Sequence, residues 1–306
     1  VPSKESDALR AHFQSMSDRM AANPQMDLVT LRGTLEELHE RAAEPTGVTY
    51  EEITIDGPAS ELPAIWCIPV DGTDDRVILY THGGGFVTNT RHSHRKLAGH
   101  LAKATGCRAL VLEYRLAPEA TFPAQLEDAV AAFAWLVEQG IAPEHIATAG
   151  DSAGGNLATA VALKLREDGR PQPAAVVGFS PWYDLEGTGS TMDTNADKDA
   201  FVQRPVVQHL GSQFIGDASL QDPLANPTYA DLAGLPPLFL TVGGHETLLD
   251  SVEQFADRAK NAGVEVALEV AEGQQHVYPF MAGRAPEADS TIADAGRWLR
   301  SRLGLS

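Results

Sequence analysis

Cysteine is nearly absent from this chain. Cys67 and Cys107 are the two it has, and neither lies in a C-x-x-C or other ligand-like spacing. That excludes a disulfide framework and a cysteine-rich metal site, and leaves two buried reduced thiols as the expectation. Eighteen consecutive apolar residues occur nowhere, so no membrane-spanning helix is expected. The charged stretch from Val1 to Arg10 lacks the apolar segment of a signal peptide. A cytoplasmic protein follows as the expectation, a trimmed leader being left open. Positive charge is also scarce: 23 Lys and Arg stand against 42 Asp and Glu, a formal net charge of −19. Nucleic acid and anionic membrane surfaces would be repelled, so neither is expected as a partner. The histidines outside the late loops show no ligand spacing beyond His92-Ser-His94 in a polar stretch, and neither a metal nor another cofactor is called for.

What is present is an ordinary globular composition, 43% hydrophobic and 21% charged over 306 residues, enough for one large core with an insertion. Apolar positions at Leu9, Phe13, Met16 and Met20, then at Leu28, Leu31, Leu35 and Leu38, have helical spacing in two pieces broken at Asn23-Pro24. Val48 to Ile55 and Leu62 to Ile68 read as an antiparallel pair around Asp56-Gly57-Pro58. From there short apolar runs alternate with helical ones. Strands are expected at 76–80, 109–114, 145–149, 174–179, 237–242 and 264–270, and helices at 93–105, 124–139, 155–167, 251–262 and 286–303. Such alternation predicts an α/β fold, a mostly parallel sheet with helices on both faces. Residues 183–232 break the alternation with scattered apolar positions and several Gly and Pro. They are expected, with residues 1–45, to form a helical cap over a core of residues 46–182 and 233–306.

The chemistry concentrates at Gly150-Asp151-Ser152-Ala153-Gly154, where a β-compatible run meets a helix-compatible one. This is the G-x-S-x-G pattern of a nucleophile elbow, which lifts the serine out of the fold at the positive end of the following helix. Alone the pattern is weak. Upstream, His82-Gly83-Gly84-Gly85-Phe86 follows a buried strand, and three successive glycines there imply close backbone approach or presented N–H groups. A serine nucleophile needs a base and an acid, both after it in this chain order. Of His209, His245 and His276, only His276 follows a strand in a loop before the last helix. Two acids compete after the strand at 237–242. Glu246 is nearer the strand end, and Asp250 stands where it would N-cap the helix near Ser251. Position favours Glu246.

These segments together resemble the hormone-sensitive-lipase-like α/β-hydrolases, the family IV or GDSAG esterases of bacteria. The resemblance runs from about residue 46 to 303 and includes His82-Gly-Gly-Gly-Phe, Tyr114-Arg-Leu-Ala-Pro-Glu119, Phe122-Pro-Ala with Asp128, Gly150-Asp-Ser-Ala-Gly-Gly-Asn156 and Ser180-Pro-Trp-Tyr-Asp184. Two departures stand out: Glu246-Thr-Leu in place of the usual Asp-Pro-Leu, and His276-Val-Tyr-Pro-Phe in place of His-Gly-Phe. Both look similar to a branch that includes monoterpene lactone hydrolases. The resemblance implies an α/β-hydrolase fold with Ser152, Glu246 and His276 as catalytic triad, and the N–H groups of Gly84, Gly85 and Ala153 as oxyanion hole. It also implies that His82, Asp128 and Asp184 are structural.

The expected function is therefore a cofactor-free serine carboxylic-ester hydrolase acting on small to medium esters. A lactone hydrolase using the same triad is the alternative, with a non-catalytic receptor on the same fold and an amidase behind it. The expected partner is a small-molecule ester or lactone, and a homodimer is left open.

Overall fold

The computed structural model describes residues 2–305. Helices α1 (Lys4–Ala22) and α2 (Leu28–Glu36) fold from the two periodic stretches. Each opens on a side-chain cap: Ser3 accepts from the Ser6 N–H, and Asp27 from the Thr30 N–H. A 3₁₀ turn at Glu37–Glu40 leads to β1 (Val48–Asp56) and β2 (Glu61–Pro69), which pair antiparallel from Val48 opposite Pro69 to Asp56 opposite Glu61.

The chain then alternates through β3 (Thr73–Thr81), α3 (Arg91–Thr105), β4 (Cys107–Leu112), α4 (Ala124–Glu138), β5 (Ile146–Asp151), α5 (Ala153–Glu167) and β6 (Ala175–Phe179). After β6 come the single turn α6 (Thr191–Thr194) and the longer α7 (Arg204–Ile215). The alternation resumes with β7 (Leu238–Gly243), α8 (Leu249–Asn261), β8 (Val266–Ala271) and α9 (Pro286–Arg302). The strand order is β1-β2-β4-β3-β5-β6-β7-β8, parallel from β4 to β8.

The sheet is covered on both faces, and the side-chain alternation of β3 shows how. Ile78 and Tyr80 pack into one core with Leu97 and Leu101 of α3 and Leu299 of α9, whereas Val77 and Leu79 pack into another with Phe133 of α4 and Leu157 of α5. Strands β5 and β7 are buried at every position, as a parallel sheet between two helix layers requires.

Several boundaries differ from the sequence expectation. β4 spans 107–112 rather than 109–114, because Gly106, at φ +77°, ends α3 in the left-handed conformation and turns straight into the strand. α5 begins at Ala153 rather than Gly155, so Ser152 stands at the helix N-terminus itself. In residues 183–232 only α7 exceeds one turn. Much of the remainder is irregular chain held by side-chain to backbone bonds, such as Asp184 accepting from the N–H groups of Glu186, Gly187, Thr188 and Gly189.

Candidate active site

Strand β5 delivers Ser152 in a conformation that L-residues avoid, φ +50° and ψ −121°. Such a residue costs about 1–3 kcal/mol and persists only when its surroundings over-determine it. They do so here. Its N–H donates to the Phe179 carbonyl at 2.9 Å, and its carbonyl accepts from Asn156 at 3.1 Å and Trp182 at 2.9 Å. Gly154 lies so close to β3 that a Cβ would run into the carbonyl oxygens of Thr81 and His82. The glycine requirement of the elbow is thus steric.

The Ser152 hydroxyl lies 2.9 Å from His276 Nε2, and His276 Nδ1 lies 2.7 Å from Glu246 Oε2. Glu246 is fully buried, and its second oxygen accepts from the Ser180 hydroxyl at 2.6 Å and from the Gly243 N–H. Ser180 also accepts from the Val277 N–H at 3.0 Å, so one hydroxyl ties the carboxylate to the peptide following His276. Ser180 and Val277 both have positive φ, +48° and +47°, which puts three strained residues of three loops in one cluster with Ser152. Burial pushes the His276 imidazole down. The Glu246 charge and hydrogen bond, aided by Asp199 and Asp151, outweigh it and hold His276 above its usual 6.5.

Asp250 stands elsewhere. The expected N-cap role is not what the structure has: α8 starts at Leu249, so Asp250 lies inside its first turn. Its Oδ2 accepts from the Ser190 N–H at 2.7 Å and its Oδ1 from Gln254 Nε2 at 2.8 Å, tethering the segment before α6 to α8. His209 is exposed at the cavity margin and His245 is half-buried.

Gly84 (φ +109°) and Gly85 (φ +63°) face the cavity that Ser152 faces. Their conformations leave the N–H groups without a backbone acceptor among the described residues. Ala153, first in α5, has no intrahelical acceptor for its own N–H. The glycine loop is anchored from behind. His82 stacks on Tyr114 at 4.3 Å, Tyr114 donates to the His82 carbonyl at 2.6 Å, and the Gly83 N–H reaches His94 Nε2 at 3.2 Å. Asp151, also buried, accepts from the Tyr80 hydroxyl at 2.7 Å and lies 3.2 Å from His94 Nε2. Burial raises its carboxyl, but the facing His94 and the Tyr80 bond bring it below the usual range. The His92-Ser-His94 spacing is not a ligand pair, since His92 is exposed and His94 fully buried. Among the described residues no cluster of three or more His, Cys, Asp or Glu has metal-holding geometry. Asp128 pairs with Arg115 at 2.8 Å and Asp184 holds its own loop.

Sequence reading did not single out the supports behind these side chains: Ser180, His94, Asp151, Asn195 and Asp199. Ser180 and Asp151 carry a signal in hindsight, each being a polar residue at the end of a buried strand. Nothing in the sequence marks Asn195 or Asp199.

A cavity of about 590 Å³ opens on Ser152 and His276. Its walls are apolar, contributed by α1 and α2 (Phe13, Leu31, Leu35), by Phe201 and Val202, and by Leu210 of α7. An alcohol oxygen within hydrogen-bond reach of an imidazole, with free N–H donors near it in an apolar-walled pocket, is equipped to attack a carbonyl and stabilise the oxyanion formed.

An open, mostly parallel sheet with a strained serine between strand and helix, followed in sequence by an acid and a histidine, defines an α/β-hydrolase. The family model described as "alpha/beta hydrolase fold" matches residues 78–280. An acetyl-hydrolase of Streptomyces hygroscopicus is 38% identical over 231 residues, 76% of this chain and 77% of the relative. An esterase of Acinetobacter venetianus is 31% identical over 76% of this chain and 78% of its own length. The crystal structure of an esterase from the bacterial hormone-sensitive lipase family superposes with a TM-score of 0.93 at 41% identity, covering 99% of this chain and 100% of that one. The chain belongs to the α/β-hydrolase family, in its hormone-sensitive-lipase-like group.

Proposed function

We propose that this protein is a serine carboxylic-ester hydrolase whose nucleophile is Ser152. The observation that carries this reading is the unbroken hydrogen-bond chain from the Ser152 hydroxyl through His276 to Glu246, opening on an apolar cavity. His276, neutral, takes the serine proton as Oγ attacks the ester carbonyl. Glu246 holds the Nδ1–H tautomer and balances the imidazolium, and the N–H groups of Gly84, Gly85 and Ala153 receive the oxyanion. The imidazolium then protonates the departing alcohol. Water, activated by the same histidine, releases the acid from Ser152.

The relatives' names, acetyl-hydrolase and esterase, support open-chain esters over the lactones suggested by the Glu246 and His276 loops. A cavity of about 590 Å³ suits acyl groups of small to medium size. Residues 1–45 and 183–232 act in this reading as a cap over the serine, supported by their share of the cavity wall. A cytoplasmic location also belongs to it, supported by the two free buried cysteines, while no helix among the described residues is long and apolar enough to cross a membrane. Rates on p-nitrophenyl esters of increasing acyl length, matched anilides and small lactones test the reading. Preference for short and medium esters is expected, and faster lactone opening would replace it with the alternative.

A further inference from the structure

Resting on the triad reading above, we infer that Asp199 is a positioning residue for the acid–base pair, clasping the Glu246 loop to the cavity wall. Asp199 lies in the irregular segment between α6 and α7, and no sequence motif contains it. Its side chain is nonetheless buried, 4% exposed. One carboxylate oxygen accepts from the Phe201 N–H at 2.9 Å and the Val202 N–H at 2.8 Å. The other accepts from the Thr247 N–H at 2.9 Å, with the Thr247 hydroxyl at 3.3 Å. Burial raises the Asp199 carboxyl above its usual range; the His276 charge and the backbone donors pull the other way and favour the charged form, and a buried charge so held is costly to misplace.

Its partners make the placement informative. Thr247 follows Glu246 directly, while Phe201 and Val202 line the cavity. The same short segment grips both catalytic loops. Asn195 donates to the Glu246 carbonyl at 2.8 Å, and Gln275, beside His276, accepts from the Ala200 N–H at 2.9 Å and donates to the Lys198 carbonyl at 2.9 Å. Phe13 of α1, itself part of the cavity wall, stacks on Phe201 at 4.6 Å, and Ser17 donates to the Ala200 carbonyl at 2.7 Å. Residues 195–202 are therefore one strap, touching substrate space on one side and the acid and base loops on the other. Asp199 is its charged knot.

Charge gives Asp199 a second effect. The groups facing His276 are Glu246, Asp199 and Asp151, all of which favour the imidazolium, and those facing Asp199 are His276 and Glu246. The neighbouring cation, Lys198, is engaged by Asn195 Oδ1 at 2.9 Å. Removing the Asp199 charge takes away one of the three anions that hold the base's proton.

The test is Asp199→Asn, alone and combined with Glu246→Gln, in the full chain. The single variant is expected to lose about 10- to 100-fold in kcat on a short p-nitrophenyl ester, with KM changed less than kcat. The midpoint of its pH–kcat/KM limb should move to lower pH, which a merely structural role would not do. In the Glu246→Gln background the same change should cost little more, because its route to the chemistry is already cut. Should Asp199→Asn not fold, Thr247→Val, which removes the hydroxyl that reaches Asp199 at 3.3 Å and the Val202 carbonyl of the same strap at 3.0 Å, is read by kcat and by the same coupling. Wild-type kcat with an unmoved midpoint in Asp199→Asn, or full additivity with Glu246→Gln in either variant, overturns the inference. Ser152→Ala run alongside separates the two readings: activity surviving in it overturns the triad itself.

Discussion

Glu246→Gln removes a charge and keeps the shape, and the hydrogen bonds around the carboxylate dictate which way the amide must lie. The Gly243 N–H is a fixed donor pointing at Oε1, and the Ser180 hydroxyl points there too. The amide oxygen is therefore drawn to that site, which turns the NH₂ toward His276 Nδ1. An imidazole facing a donor at Nδ1 carries its proton on Nε2, against the Ser152 hydroxyl, and has no lone pair to accept the serine proton. Flipping the amide restores the tautomer but leaves buried donors face to face, at about 1–3 kcal/mol. Either way the charge-assisted bond to the imidazolium is lost, worth about 1.5–3 kcal/mol. The sum, about 2.5–6 kcal/mol, corresponds to about 10²- to 10⁴-fold in kcat. Steady-state hydrolysis of p-nitrophenyl acetate, with circular dichroism to show an intact fold, measures it. A fall of less than about tenfold in a folded variant would refute the tautomer reasoning and remove Glu246 from the mechanism.

The base must be neutral to accept a proton, and His276 is held above 6.5, so kcat/KM should rise with pH along a one-proton limb whose midpoint lies above 6.5 and fall away below it. Salt should move that midpoint slightly down by screening the distant carboxylates of a −19 chain; a pH-independent rate from 5 to 9, with chemistry rate-limiting, would mean another base. Asp250→Asn should weaken the tether from Ser190 to α8, costing about 0.5–1.5 kcal/mol in a denaturation curve, with kcat little changed. A loss of kcat rivalling that of Glu246→Gln would return Asp250 to the candidate acids.

The sheet was legible in the sequence because buried parallel strands are short apolar runs between helices of clear period, and β5 and β7, buried throughout, read most plainly. Their ends were less legible, since a left-handed glycine at 106 sets where β4 begins more firmly than hydrophobicity does. The meeting of Ser152, Glu246 and His276 followed from chain order and strand ends. The supports did not. Ser180 enters the sequence reading only as the first residue of Ser180-Pro-Trp-Tyr-Asp184 and proves to be a hydrogen-bonding bridge between Glu246 and the His276 loop, a role fixed by a positive φ that no composition reveals. Asp199 sits among ordinary polar residues, and only tertiary structure brings it to Thr247 across 48 positions. Asp250 resembles a cap in the sequence, yet lies inside the first turn because the helix starts two residues earlier than the pattern suggests.

The most direct test of the whole account is covalent. An organophosphonate ester inactivator should react with the protein at one site per chain and abolish esterase activity in step with labelling. Peptide mass spectrometry should place the adduct on Ser152, and Ser152→Ala should remain folded, unlabelled and inactive. Complete inactivation with the adduct on another residue, Ser180 included, or an active Ser152→Ala protein, would contradict the assignment of Ser152 as the nucleophile.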